Sequence, residues 1–293
     1  MSYFNRYEKK LQVFLLLPVA VVVLGVVIYP LLYTFWLSLN NVDLTHPLDT
    51  GFVGLKNYLY LLKQDYFWGA IGRTFYFTVV SLIIEITAGI LLALLLNADF
   101  AGRNILRVLI ILPWALPTIV NGALWRWIFN PEYGALNALL LKFGLINSYQ
   151  SWLGKPFLAL NMVILADAWK VTPLVAILLL AALQAIPRDL YEACEVDGAS
   201  KWTIFREVIL PYLKPTLLVV IVLRTMEAFK VFDIIYIMTR GGPANGTQVI
   251  TYYAYQEAFS FLHLSKGAAL SYLISLIILA LSIAYSRLIK SEL

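Results

Sequence analysis

The chain has 293 residues, 61% of them apolar and 13% charged, and its mean hydropathy is +0.80. Soluble domains carry about 45–50% apolar and about 25% charged residues, so this excess of apolar material has to face lipid. A single cysteine, Cys194, excludes a disulfide scaffold, and the net charge of +5 implies no nucleic-acid partner, because cytoplasmic loops of membrane proteins are themselves rich in Lys and Arg.

A helix crossing a bilayer needs about 20 mostly apolar residues. In chain order such stretches fall at about residues 11–39, 74–98, 108–130, 157–186, 216–238 and 267–287. This predicts an all-α, polytopic membrane protein with six transmembrane helices in a single domain, 1–293. None of the stretches alternates with period two, as a barrel strand would. The first, uncharged from Leu11 to Val42, is too long for a signal-peptide core and is expected to be retained. Turn signals (Pro47, Gly51 and Gly54; Asn130-Pro131; Gly241-Gly242-Pro243) mark short outer loops, with one brief helix expected around 134–143. With the N-terminus inside, the inner segments carry Lys and Arg at a little over twice the density of the outer loops. That bias predicts both termini in the cytoplasm of a cell-membrane protein.

Reactive chemistry is sparse. The sequence has no phosphate loop and no Gly-x-Gly-x-x-Gly turn. His46 and His263 fall in different outer loops, without a partner at ligand spacing, so neither a metal nor a catalytic site is expected.

The cytoplasmic loop, 187–215, is the most informative stretch. Asp189 and Glu192 have the spacing of a capping box, Gly198 stands where a helix would stop with positive φ, and Trp202, Phe205 and Ile209 recur at helical spacing. The prediction is a short helix, a glycine turn and a second amphipathic helix ended by Pro211 and Pro215. An interfacial helix resting on headgroups is the plainer reading. Five acids beside four bases argue instead for a protein-docking surface.

Glu192-Ala193-Cys194, Asp197-Gly198-Ala199, Phe205 and Leu210-Pro211 resemble the EAA loop of ABC importer permeases, with Cys194 where that family usually has Ala. Leu112-Pro113-Trp114-Ala115-Leu116-Pro117, Trp169, Leu183-Gln184-Ala185-Ile186-Pro187, Phe232-Asp233 and Thr239-Arg240-Gly241-Gly242-Pro243 resemble the binding-protein-dependent sugar permeases, in their MalF-like form. The resemblance implies a type I importer fold and a heterodimer with a second, homologous permease. It implies an ATPase pair that carries ATP and magnesium, and an external sugar-binding protein. Glu192, Ala193, Asp197, Gly198, Ala199 and Phe205 would then form a coupling helix that docks on the ATPase. The permease itself would hold no cofactor and be no enzyme.

Charged residues within spans are costly and mark a path or a pair. Arg224, Glu227, Lys230 and Asp233 alternate in sign along the fifth span, either neutralising one another or lining the path. The resemblance adds that this helix offers substrate-facing positions near Arg224, Glu227, Ala228 and Val231, and the fourth span near Asp167 and Lys170. Trp114, Thr118 and Asn121 fall at i, i+4 and i+7, one helical face that offers a ring and short polar groups to a sugar. Glu85 reads as a structural partner, and Arg126 as a side chain reaching the outer interface. The expected cargo is a di- or oligosaccharide such as an α-glucoside. A glycerol phosphate permease and an ion-coupled secondary transporter are the rival readings.

Overall fold

The computed structural model describes residues 2–290. Residues 1 and 291–293 lie outside the described residues, as do the side chains of 2–10, 13 and 288–290, and with them Arg6, Lys9, Lys10 and Lys290 of the charge-bias argument.

The first apolar stretch forms α1 (Ser2–Val22), a π-helical turn (Val23–Ile28) and α2 (Tyr29–Ser38). A two-residue pairing, β1 (Asn40–Asn41) with β2 (Gly51–Phe52), and α3 (Lys56–Leu62) follow. Next come α4 (Asp65–Asn97), α5 (Arg103–Ala115), α6 (Thr118–Ile128), α7 (Ala135–Lys142) and α8 (Pro156–Gln184). The remaining helices are α9 (Arg188–Val196), α10 (Lys201–Ile204), α11 (Leu210–Phe229), α12 (Asp233–Met238), α13 (Ile250–Tyr255) and α14 (Leu264–Lys290). Among the described residues, five continuous helical stretches are long and apolar enough to cross a bilayer, and α5 with α6 makes a sixth if that bent pair is one span.

The fold forms two compact units, Met1–Gln64 with Tyr253–Leu276, and Asp65–Tyr252 with Ile277–Leu293. In the first, the described apolar side chains from Leu11 to the end of α2 are largely exposed, as lipid-facing residues would be. Buried Asn57 donates to the carbonyls of Ser38 and Asn40 at 2.8 and 2.9 Å, which fixes the exit from α2. Val42 and Ser265 bond reciprocally through the Ser265 hydroxyl, at 2.7 Å, and the Ser265 amide, at 3.3 Å. The Thr45 hydroxyl and amide both donate to Asp43, which holds its carboxyl below the usual carboxylate range.

In the second unit α4 and α8 pack along their length. The buried residues of α4 (Phe67, Ala70, Thr74, Phe77, Thr78, Ser81, Glu85, Gly89, Ala93 and Leu96) form one stripe at helical spacing. Its hydroxyls are satisfied within the helix, as in Ser81 to the Phe77 carbonyl at 2.6 Å. A Cβ on Gly89 would lie 2.6 Å from Val175 Cγ1, so the glycine permits the close approach of the two backbones.

Three expectations need correction. The third span is broken: Leu116 and Pro117 are extended, and α6 leaves α5 at 96°. A residue before proline is driven out of the helical region, and Pro117 imposes that on Leu116. The fifth span ends at Phe229 rather than 238, with Lys230 as its C-cap and Asp233 opening α12, so the four alternating charges share no single helix. Pro211 and Pro215 do not end the amphipathic helix, which runs through a π-helical segment (Phe205–Ile209) into α11. There the Leu210 amide reaches back five residues to Phe205, and this wider turn gives the Pro211 ring room.

Candidate functional site

The break in the third span, the middle of α8 and the C-terminal turn of α11 converge on one cavity of about 430 Å³. Trp114, at the end of α5, and Thr118, at the start of α6, stand at its wall with Asp167, Lys170, Arg224, Glu227 and Lys230. Seven of the eight candidate substrate residues therefore share one space. The eighth does not. Asn121 is fully buried and donates its Nδ2 to the Ala166 carbonyl at 3.0 Å, away from the cavity. Trp114 and Thr118 reach the cavity from opposite sides of the 96° bend, whereas Asn121, three residues along α6 from Thr118, turns to the α8 backbone instead. Val171, Leu174, Phe232, Asp233 and Ile234 complete the wall together with Ala228 and Val231. On α8 the signal was present, since 167, 170, 171 and 174 repeat at helical spacing. Phe232 and Ile234 owe their places to the end of α11 at Phe229, which no local pattern marks.

Arg224 is buried and surrounded by carboxylates. Its Nε donates to Glu85 Oε2 at 2.8 Å and its Nη2 to Glu85 Oε1 at 2.9 Å. Nη2 also reaches Asp167 Oδ2 at 3.5 Å, and Nη1 donates to Glu227 Oε2 at 2.6 Å. Glu85, read from sequence as a structural partner, is fully buried on α4 and contributes nothing to the cavity wall. Arg126 is exposed and reaches the Ile237 carbonyl at 3.5 Å.

The 187–205 stretch has the predicted helix–glycine–helix form. The capping box is not made: Pro187 is the N-cap of α9, and the helix start has no side-chain cap. The end of α9 is built as predicted. Gly198 has φ of +70°, its amide bonds to the Glu195 carbonyl at 3.1 Å, and the Ala199 amide to Cys194 at 2.9 Å. That pair of bonds is a Schellman cap, and it leaves Asp197 as the C-cap. Ser200 then caps the next helix by accepting from the Thr203 amide, a signal the sequence carried and the capping-box reading overlooked. Glu192, Ala193, Asp197 and Gly198 are exposed, with Ala199 and Phe205 half-buried and Phe205 stacked on Trp202. Glu192 also lines a cavity of about 720 Å³ with Asp99, Arg103, Arg188, Tyr191 and Glu195. Burial pushes the Tyr191 phenol up.

Residues 85–291 match the family described as "Binding-protein-dependent transport system inner membrane component". The chain is 42% identical over 283 residues to the trehalose/maltose transport system permease protein MalF of Thermococcus litoralis, covering 96% of this chain and 94% of that one. It is 37% identical over 268 residues to the trehalose transport system permease protein SugA of Mycobacterium tuberculosis, covering 91% and 84%. Its fold matches the bacterial alginate ABC transporter solved with an alginate pentasaccharide-bound periplasmic protein, with a TM-score of 0.84 at 22% identity over 97% of this chain and 96% of that one. Membrane-length helices, the helix–glycine–helix turn and the family match agree: the chain belongs to the binding-protein-dependent transport system inner membrane components, as a multi-pass permease of the type I ABC importer fold.

Proposed function

We propose that this permease forms half of the translocation path of an ATP-driven importer for neutral di- or oligosaccharides, with an α-glucoside such as trehalose or maltose as cargo. The observation that carries the reading is the cavity at the break of the third span. It joins the Trp114 and Phe232 rings to three acids, Asp167, Glu227 and Asp233, and three bases, Lys170, Arg224 and Lys230. Rings stack on sugar faces and polar groups pair with hydroxyls, while the balanced charge offers no net attraction to an anion. The names of the relatives from Thermococcus litoralis and Mycobacterium tuberculosis support an α-glucoside.

A second permease completes the path, and an external binding protein delivers the sugar. Both termini lie in the cytoplasm, so the turn at Gly198 faces an ATPase pair that carries ATP and magnesium. Glu192, Ala193, Asp197, Gly198, Ala199 and Phe205 dock there, with exposed Val196 and Trp202 available as apolar anchors. The turn then carries the coupling free energy between nucleotide and cargo sites.

The test is uptake of labelled trehalose and maltose by membranes holding the chain with its partner permease, ATPase and binding protein. ATP-dependent uptake of either sugar is expected, and uptake of glycerol phosphate alone would overturn the sugar reading. Cys194 reports orientation. An impermeant thiol reagent should leave it unlabelled in intact cells, and labelling from outside would reverse the topology.

A further inference from the structure

We propose that Glu85 is a specificity-determining residue of this permease: it occupies Arg224 from behind the cavity wall while Asp167 and Glu227 occupy it at the wall, and together they keep that guanidinium from receiving an anionic saccharide. The inference rests on the cavity being the cargo site.

Arginine binds phosphate, sulfonate and carboxylate through an edge of its guanidinium, with two parallel N–H donors. Arg224 presents no free edge. Glu85 takes the Nε–Nη2 edge with both of its oxygens, at 2.8 and 2.9 Å. The Nη1–Nη2 edge is divided between Glu227 at 2.6 Å and Asp167 at 3.5 Å. Four of the five donors are therefore committed to carboxylates. The field adds to the geometry. The six charged residues of the wall sum to zero, and Glu85 behind them brings one more negative charge. A buried cation acts through a poorly screened medium, so an unoccupied Arg224 would attract an anion strongly. Glu85 lines no part of the cavity and so acts through Arg224, as a positioning residue.

A purely structural ion pair would join α4 to α11 without affecting cargo choice. The two roles separate on selectivity. In the assembled complex, with partner permease and ATPase, binding of labelled trehalose is measured in competition with unlabelled trehalose and with trehalose 6-phosphate. The phosphorylated sugar should compete poorly with the wild type. Glu85→Gln keeps a neutral acceptor but removes the negative charge behind Arg224, and so should improve the competition of the phosphorylated sugar relative to trehalose by about tenfold or more, comparable to one hydrogen bond to a charged group. An assembled Glu85→Gln complex with an unchanged ratio overturns the proposal. If that variant does not assemble, Glu227→Gln replaces it, because exposed Glu227 ties no other helix to Arg224 and its loss frees Nη1. The same ratio shift is expected there, and its absence is equally fatal. Should labelled trehalose not bind the wild type, the sugar reading fails, and sulfate serves as a sugar-free probe. Sulfate should then raise the unfolding temperature of the Glu85→Gln or Glu227→Gln complex and not that of the wild type, and equal shifts would overturn the masking of Arg224.

Discussion

Glu85 and Arg224 lie 139 positions apart in the chain and meet in a two-point ion pair inside the membrane-spanning bundle. The two ends of this contact are unequal. Among the described residues Glu85 has one cationic partner, whereas Arg224 serves Glu85, Asp167 and Glu227 at once. Arg224→Met leaves two buried carboxylates uncompensated and should destabilise the fold by about 3–5 kcal/mol or more. Glu85→Gln leaves Arg224 paired with Asp167 and Glu227 and keeps an acceptor in place, so it should cost less. Thermal unfolding of both variants in one detergent checks the order, and a smaller loss for Arg224→Met would contradict it.

The α4–α8 contact predicts a rescue. Gly89→Ala puts a Cβ 2.6 Å from Val175 Cγ1 and should destabilise by about 1–3 kcal/mol through overpacking, reduced by alanine's better helix propensity. Adding Val175→Ala removes the clash, so the double variant should be more stable than Gly89→Ala alone. The comparison is a thermal-shift measurement on three purified proteins.

At Gly198 the constraint is conformational rather than steric. A Cβ there would meet nothing within 4 Å, but φ is +70°. Gly198→Val should strain the turn by about 1–2 kcal/mol and turn α9 on the ATPase proposed to dock there, whereas Gly198→Asn tolerates that conformation. Uptake should fall steeply for Val and modestly for Asn, with both proteins inserted in the membrane. The readout is uptake per assembled complex alongside the ATPase rate, and equal effects of the two would dissociate the turn from coupling.

Asn121 and Trp114 should separate. Asn121→Ala removes a buried bond to the Ala166 carbonyl and should lower stability by about 1–3 kcal/mol with sugar affinity unchanged. Trp114→Ala removes a ring from the cavity wall and should weaken sugar binding while leaving assembly intact. Binding and unfolding measured on the same preparations distinguish the two.

Acid should loosen the loop around Asp43. Its carboxyl sits below the usual range because Thr45 donates to it twice, so its contribution to stability is present above the unfolded value. That contribution is lost as pH falls through the lowered value. Thr45→Val should raise the pH at which residues 40–46 lose protection, as read by hydrogen exchange.

Local patterns determined much of this protein. Hydropathy windows located every membrane-length stretch, because lipid selects on summed apolar length, and each stretch reads without its neighbours. The glycine turn was legible for a similar reason: a positive φ at Gly198 and the Schellman bonds involve only residues 194–199. The tertiary structure decided which polar residues meet. Asn121 left the predicted site because its side chain pairs with the Ala166 carbonyl on α8, a partner 45 residues away that helical spacing does not mark. Lys230 and Asp233 left the fifth span because α11 stops at Phe229, with Lys230 as its C-cap and Asp233 opening the next helix. Glu85 on α4 and Arg224 on α11 both lie on the buried sides of their helices, where the two charges meet. A charge inside a membrane must find its counter-charge in space, and sequence spacing does not encode a distance across 139 residues.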